Sequence, residues 1–292
     1  MNISAIFQAI TDGLLMGGVY GLVAVGLTLI FGVMQIVNFA HGALMMLGMY
    51  VTYWAFTLLG INPYVSILAS ICALFLVGFI LQRFFLDPIL NAPQHNQLLL
   101  TLGIMLVLEN LALVLWSPDF RSIKVEWLEQ GILLGSVVLN KPRLLAFVFT
   151  LAITAVLYYV LKKTELGRAI QAASQEREGA HLVGVNVRHI NGIAFGIGAA
   201  CAGAAGSLIM PFYFVSPGVG HVFLLRAFVV AILGGLGNFG GALVGGLIIG
   251  LTESLSALLL PGSLKEMVVY LLFVGILLVR PTGLFGGGRS NG

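Results

Sequence analysis

Long apolar runs, each about the length of a bilayer crossing, alternate with short polar breaks along nearly the whole chain. They cover roughly 5–31, 39–60, 63–84, 95–117, 142–161, 187–211, 222–236, 241–260 and 264–280. A crossing helix needs about 20 predominantly apolar residues. Eight or nine crossings are therefore predicted. The run 222–236 is short and contains Arg226, so it also fits a re-entrant or interior helix. Breaks fall where turn chemistry places them: Asn62-Pro63, Asp87-Pro88, Ser117-Pro118, Lys141-Pro142, Ser216-Pro217-Gly218, Pro261-Gly262 and Arg280-Pro281. The large interruption is 162–188, KKTELGRAIQAASQEREGAHLVGVNVR, in which eight residues are Lys, Arg or Glu. That charge cannot sit in hydrocarbon, so the island is a surface offered to water.

Composition agrees with the pattern. Hydrophobic residues make up 59% of the chain and charged residues 9%, against about 25% charged in an ordinary globular domain. The mean hydropathy is +1.06. The expected fold is all-α: one polytopic transmembrane helical bundle over 1–292. The 38 glycines exceed ordinary usage of about 7%, and small residues let helix backbones approach closely in a membrane. Their stripes, Gly17/Gly21, Gly192/Gly196/Ala200/Ala204 and Gly241/Gly245 with Gly246/Gly250, fit packing within the chain or against a second transmembrane subunit. Similarity between the two halves is faint and defines no repeat.

A net charge of +3 without a basic tail argues against a nucleic-acid partner. Cys72 and Cys201 lie in apolar runs and read as small buried hydrophobes. The N-terminus lacks the positive segment and small-residue cleavage site of a signal peptide. Cations near span ends set orientation. With the island inside, Arg83, Lys162, Lys163, Arg168, Arg177, Arg188, Arg280 and Arg289 fall inside. Arg121, Lys124, Lys141, Arg143 and Lys265 fall outside. Nine alternating spans then put the C-terminus inside and the N-terminus outside.

Within the island, residues 169–183 favour helix up to Gly179. Ser174 is placed to cap a second short helix opening at Gln175 and Glu176, with Arg177 and Glu178 following. Gly184 and Asn186 stop it. The island is either a docking surface or a solvated loop that sets topology. Glu178-Gly179-Ala180-His181-Leu182-Val183-Gly184 resembles the E-A-A-x-x-x-G loop of membrane subunits of ABC importers, with Gly179 in place of the first Ala and the later Ile and Leu-Pro missing. Three further segments carry a more specific resemblance: GLVAVGLTLIFGVMQIVNFAHGALMMLGMY (21–50), RAFVVAILGGLGNFGGALVGGLIIGLTES (226–254) and VRPTGLFG (279–286), together with AHLVGVNV (180–187). Almost end to end, the chain resembles the branched-chain amino acid permease family of ABC importers, in its shorter, LivH-type form.

That resemblance implies a type II importer-like permease with short cytoplasmic coupling helices in about 162–188. ATPase coupling then falls on Ser174, Glu176, Arg177, Glu178, Ala180 and Gly184. It implies a LivM-like second permease and two ABC ATPase subunits that bind ATP and Mg, with no cofactor in this chain. It further implies a periplasmic or extracellular substrate-binding protein and the inner membrane of a bacterium. Permeases for urea and short amides share these segments, so they remain the alternative substrate class. The chain contains no G-x-x-x-x-G-K-[ST] phosphate loop of its own, and a pump lacking one must borrow an ATPase.

Polar residues inside spans face bundle interiors or cavities. Gln35, Asn38 and His41 sit at an apparent helix break, which reads as a broken helix beside the path or as a cytoplasmic turn. Asn238 and Gly241 sit at a second break that reads more simply as a tight turn. These five are the candidate path residues, expected to share one cleft. Phe39, Met45, Met46 and Met49 supply soft apolar surface nearby. Glu109, Arg226 and Glu253 are the deeply placed charges. An ion pair is the expected role of Arg226, with Glu109 or Glu253 as partner. His41 has no second His or Cys at metal spacing, so no metal site is expected. An ion-coupled transporter would need paired mid-membrane carboxylates, and an enzyme a nucleophile–base or metal constellation; neither pattern occurs in the sequence.

Overall fold

The computed structural model describes residues 3–125, 131–135, 137–262 and 264–286; Arg289 lies outside them. Four helices come first: α1 (Ile3–Met34), α2 (His41–Leu59), α3 (Ser66–Leu81) and α4 (Gln94–Trp116). A small antiparallel hairpin, β1 (Ile132–Leu134) with β2 (Val137–Leu139), forms the one sheet among the described residues. Next come α5 (Lys141–Lys163) and the island's two helices, α6 (Glu165–Gln175) and α7 (Arg177–Leu182). Helices α8 (Val187–Ile209), α9 (Val219–Gly234), α10 (Phe239–Leu259) and α11 (Leu264–Val279) complete the bundle.

Seven helices are long and apolar enough to cross a membrane: α1, α2, α3 with its continuation to Ile89, α4, α5, α8 with its continuation to Phe212, and α10. Helices α9 and α11 have 16 residues each, about 24 Å of helix for a hydrocarbon layer of about 30 Å.

Side-chain caps start several elements. Asn140, Thr164, Asn186 and Asn238 accept hydrogen bonds from the first-turn amides of α5, α6, α8 and α10 respectively. Each such cap contributes about 1 kcal/mol.

Apolar helices gain nothing from facing one another rather than lipid, so close packing decides which become central. In α1 and α8, 83% and 89% of the apolar window is buried, against 22% in α4 and α5. The central pair is rich in small residues. Gly13 and Gly17 of α1 meet Gly250 and Gly246 of α10, and a Cβ at any of the four would come within 3.0 Å of the facing backbone. Gly192, Gly196 and Gly203 of α8 take Phe79, Phe75 and Leu74 of α3. These stripes are thus used inside the chain. Cys201 is buried, whereas Cys72 is exposed on the outer side of α3, because α3 turns its other face to α8.

The contacts sort the loops into two ends. At one end, Arg177 donates to the Met34 carbonyl, Arg188 pairs with Asp87, and Gly235 packs on Phe285 and Gly286. At the other, Gln8 exchanges hydrogen bonds with Val138, Asp12 pairs with Arg143, and Arg121 bridges Val215.

Helices α1 and α2 run opposite to α8 and α9. α1 runs toward the island end and α2 away from it; α8 runs away from the island and α9 toward it. α1 packs antiparallel on α10 as α3 packs antiparallel on α8. Gly26 and Gly198 meet reciprocally, as do Gly42 and Gly220.

Candidate functional site

Three places gather the polar chemistry. The first is the island. Thr164 Oγ1 accepts from the Gly167 amide and starts α6. The expected cap by Ser174 does not form: α6 continues through it, and its hydroxyl donates back to the Gln171 carbonyl. The second helix, α7, opens instead after Glu176, without a side-chain cap. Glu176 and Glu178 are exposed, while Ala180 is 4% exposed and faces the bundle. Beyond it Leu182 and Val183 stand 87% and 77% exposed, an apolar tip at the island end. Gly184 turns the chain with φ +85°, a left-handed conformation suited to glycine. Arg177 reaches away from the tip to the Met34 carbonyl, 3.1 Å off. That oxygen belongs to the last turn of α1, where helical partners run out.

The second place is the break after α1. Gln35 is exposed and has φ 57°. α1 has 32 residues, about 48 Å, longer than a hydrocarbon layer of about 30 Å. Residues 35–40 then return inward. His41 Nε2 donates to the Val23 carbonyl at 2.9 Å, about 16 Å from the inner end of α1 at helical rise. This is a broken helix re-entering the bundle. Asn38 and His41 are both fully buried. Asn38 Oδ1 accepts from the Ala40 amide, while Asn38 Nδ2 and His41 Nδ1 have no partner among the described residues. Phe39 packs on Phe228, and Met45, Met46 and Met49 are sealed in the core.

Asn238 and Gly241 lie elsewhere. Asn238 caps α10 through the Gly241 amide and donates to the Phe285 carbonyl. Gly241 packs on the Gly234 backbone. The contacts tie this pair to Gly234 of α9 and to the C-terminal segment, and tie residues 38–42 to α1 and, through Phe39 on Phe228 and Gly42 on Gly220, to α9 as well. No hydrogen bond joins the two pairs among the described residues.

The third place is at the end opposite the island. A cavity of about 290 Å³ lies between α1, α9 and α10, with Arg143 and Lys265 at its edge. Arg226 Nη2 lies 3.1 Å from Glu253 and 3.2 Å from Glu266, and its guanidinium stacks 5.6 Å from the Tyr20 ring centroid. Tyr20 also donates to Glu253 at 2.9 Å. Glu109 takes no part; it sits 3.0 Å from His221 Nε2. Arg226 side-chain exposure is 16% and that of Glu253 15%, so the pair is largely removed from water.

Asp12, Tyr20 and Glu266 were not singled out in the sequence. An aromatic in an apolar run, and charges at helix ends, carry no local signal of convergence. Among the described residues, no group of three or more His, Cys, Asp or Glu is placed to hold a metal ion.

Arg226→Leu is expected to leave two carboxylates facing each other and to cost about 3–5 kcal/mol, read as a lowered unfolding temperature in detergent. Exchanging the charges, Arg226→Glu with Glu253→Arg, should recover part of the loss. The same exchange with Glu109 should recover none, and equal recovery in both would refute the pairing.

The family described as branched-chain amino acid transport system / permease component matches residues 9–277. The chain is 31% identical over 294 residues to the high-affinity branched-chain amino acid transport system permease protein BraD of Pseudomonas aeruginosa, covering 96% of this chain and 95% of that protein. It is 30% identical over 292 residues to the protein LivH of Escherichia coli K12, described as a permease of the same kind of system, with the same coverage. A probable branched-chain amino acid permease LivH of Methanocaldococcus jannaschii is 29% identical over 290 residues, 91% of this chain and 88% of that protein.

Proposed function

The chain belongs to the branched-chain amino acid transport permease family, and from that premise we propose that it is the membrane-spanning permease of an ATP-driven importer of branched-chain amino acids. It works without chemistry of its own. Two partner ATPase subunits hold ATP and Mg, a LivM-like permease completes the membrane assembly, and an external binding protein delivers the substrate at a bacterial inner membrane.

The observation that carries this reading is the island. It is built from two capped or closely joined helices, presents Glu178, Leu182 and Val183 to the inner side, and ends on the glycine turn at Gly184. Its Arg177 is bonded to the last turn of α1, beside the break that returns to membrane depth. A push on α7 thus bears directly on the broken helix. The unpartnered Asn38 and His41 atoms are where a substrate's charged groups would find hydrogen bonds when that helix moves. The opposite cavity carries charges of both signs, which suits a zwitterion better than neutral urea or an amide.

The test is reconstitution. A tagged chain should purify with an ATPase bearing a phosphate loop and with a second permease. In proteoliposomes with the binding protein, leucine uptake should require ATP. Uptake that ignores ATP and follows an ion gradient would refute the importer, and ATP-driven uptake of urea without leucine would refute the substrate class.

A further inference from the structure

The cavity at the outer end has no assigned role, and its lining is chemically specific. Asp12, Met16 and Tyr20 line it from one face of α1, at successive steps of four residues. From Asp12 to Tyr20 the wall drops about 12 Å at helical rise. Phe212 and Phe223 add aromatic surface. At about 290 Å³ the space sits at the lower limit of small-molecule pockets, about 300 Å³. It holds one small solute and not a peptide.

The charges divide into committed and available groups. Arg226 is engaged by Glu253 and Glu266 together. Asp12 takes one hydrogen bond from Gln8 and one from Arg143, which leaves lone pairs on a carboxylate able to accept about four. Lys265 Nζ stands 3.8 Å from Glu253, beyond hydrogen-bond reach, and makes no hydrogen bond among the described residues. Its three donors are available. With Glu266 counted as a partner of Arg226, three cations face three carboxylates. An anion or a cation entering alone would upset that balance away from bulk water, whereas a solute with both poles keeps it.

We propose that this cavity is an acceptor site for one free zwitterionic amino acid with an apolar side chain, its carboxylate on Lys265, its ammonium on Asp12 and its side chain against Phe212 and Phe223. This rests on the transport reading above and adds to it a subsite at the face opposite the island, where an external binding protein would release its cargo. The site is open at the rim, so it binds weakly and hands the solute on.

The test uses the whole transporter complex in nanodiscs, without binding protein, with Cys72→Ser and a reporter Ala257→Cys or Ser254→Cys. A polar thiol reagent is added to the outer face. Leucine should slow labelling about tenfold at ten times its half-protecting concentration. Leucinamide and isovalerate, each lacking one pole, should protect far less. Lys265→Met should abolish protection by leucine. Labelling indifferent to leucine, equal protection by all three solutes, or no labelling at either reporter would overturn the proposal. So would labelling that responds only to the removal of phosphatidylethanolamine, whose zwitterionic headgroup would then be the occupant. ATP-driven leucine uptake with the binding protein is measured on the same samples. Uptake without protection leaves the importer reading intact and removes the acceptor site; protection without uptake does the reverse.

Discussion

A Gly246→Val chain is expected not to accumulate as folded protein. Gly246 of α10 lies against Gly17 and Gly21 of α1, and a Cβ there would come within 3.0 Å of backbone atoms of both. No side chain can rotate aside. The helices would have to separate along the contact that holds the centre of the bundle, losing the matched approach at Gly13 and Gly250 as well. Overpacking ordinarily costs about 1–3 kcal/mol, and a backbone-to-backbone clash falls at or above the top of that range. Gly103→Val is the control, because nothing lies within 4 Å of a Cβ at Gly103 on the peripheral helix α4. Size-exclusion chromatography of detergent extracts checks both. A monodisperse Gly246→Val peak of wild-type size would overturn the packing argument.

Loss of coupling with the fold retained is the second large effect. Arg177→Met keeps helix propensity and length but removes the hydrogen bond to the Met34 carbonyl. A bond from a charged donor contributes about 1.5–3 kcal/mol, equivalent to roughly a ten- to hundredfold change in an equilibrium. ATP-driven uptake should fall by about that factor while the ATPase subunits stay bound and hydrolyse ATP.

Glu178→Lys and Gly184→Val should lose uptake by a different route, at the docking surface. A Cβ at Gly184 meets nothing within 4 Å, so valine there acts through the left-handed backbone, at about 1–2 kcal/mol, and misplaces Leu182 and Val183. Gly179→Ala should be tolerated: its nearest contact is the flexible Glu176 side chain at 3.2 Å. Uptake per ATP hydrolysed separates the cases. Wild-type ratios in Arg177→Met and Gly184→Val together would refute the island as the coupling element.

Much of the architecture was legible in the chain. Apolar runs located the crossings to within a few residues, since burial of twenty residues in hydrocarbon is a property of length and composition. Pro and Gly breaks such as Asn62-Pro63, Ser117-Pro118, Ser216-Pro217-Gly218 and Pro261-Gly262 fell between helices, since turns are local chemistry. The eight charges of 162–188 declared a surface in water, and the motifs at 21–50 and 226–254 declared the family.

What remained hidden depended on how each helix is rotated and how deep it sits. In a membrane both faces of a helix are apolar, so the periodicity that orients a helix in a soluble protein is nearly absent. The close approach of small residues sets the rotation instead. That approach brought Arg226 to Glu253 and left Glu109 to His221. It also sealed Asn38 and His41, and consumed Gly241 in packing. The left-handed turn after α1 left Gln35 exposed, and continuation of α6 to Gln175 turned Ser174 from a cap into a last-turn residue. Convergence of Asp12, Tyr20, Glu253 and Lys265 on one cavity, and the reciprocal contacts of Gly26 with Gly198 and Gly42 with Gly220, exist only in three dimensions. They arise from contacts between residues far apart in sequence, where no local pattern constrains which helix meets which.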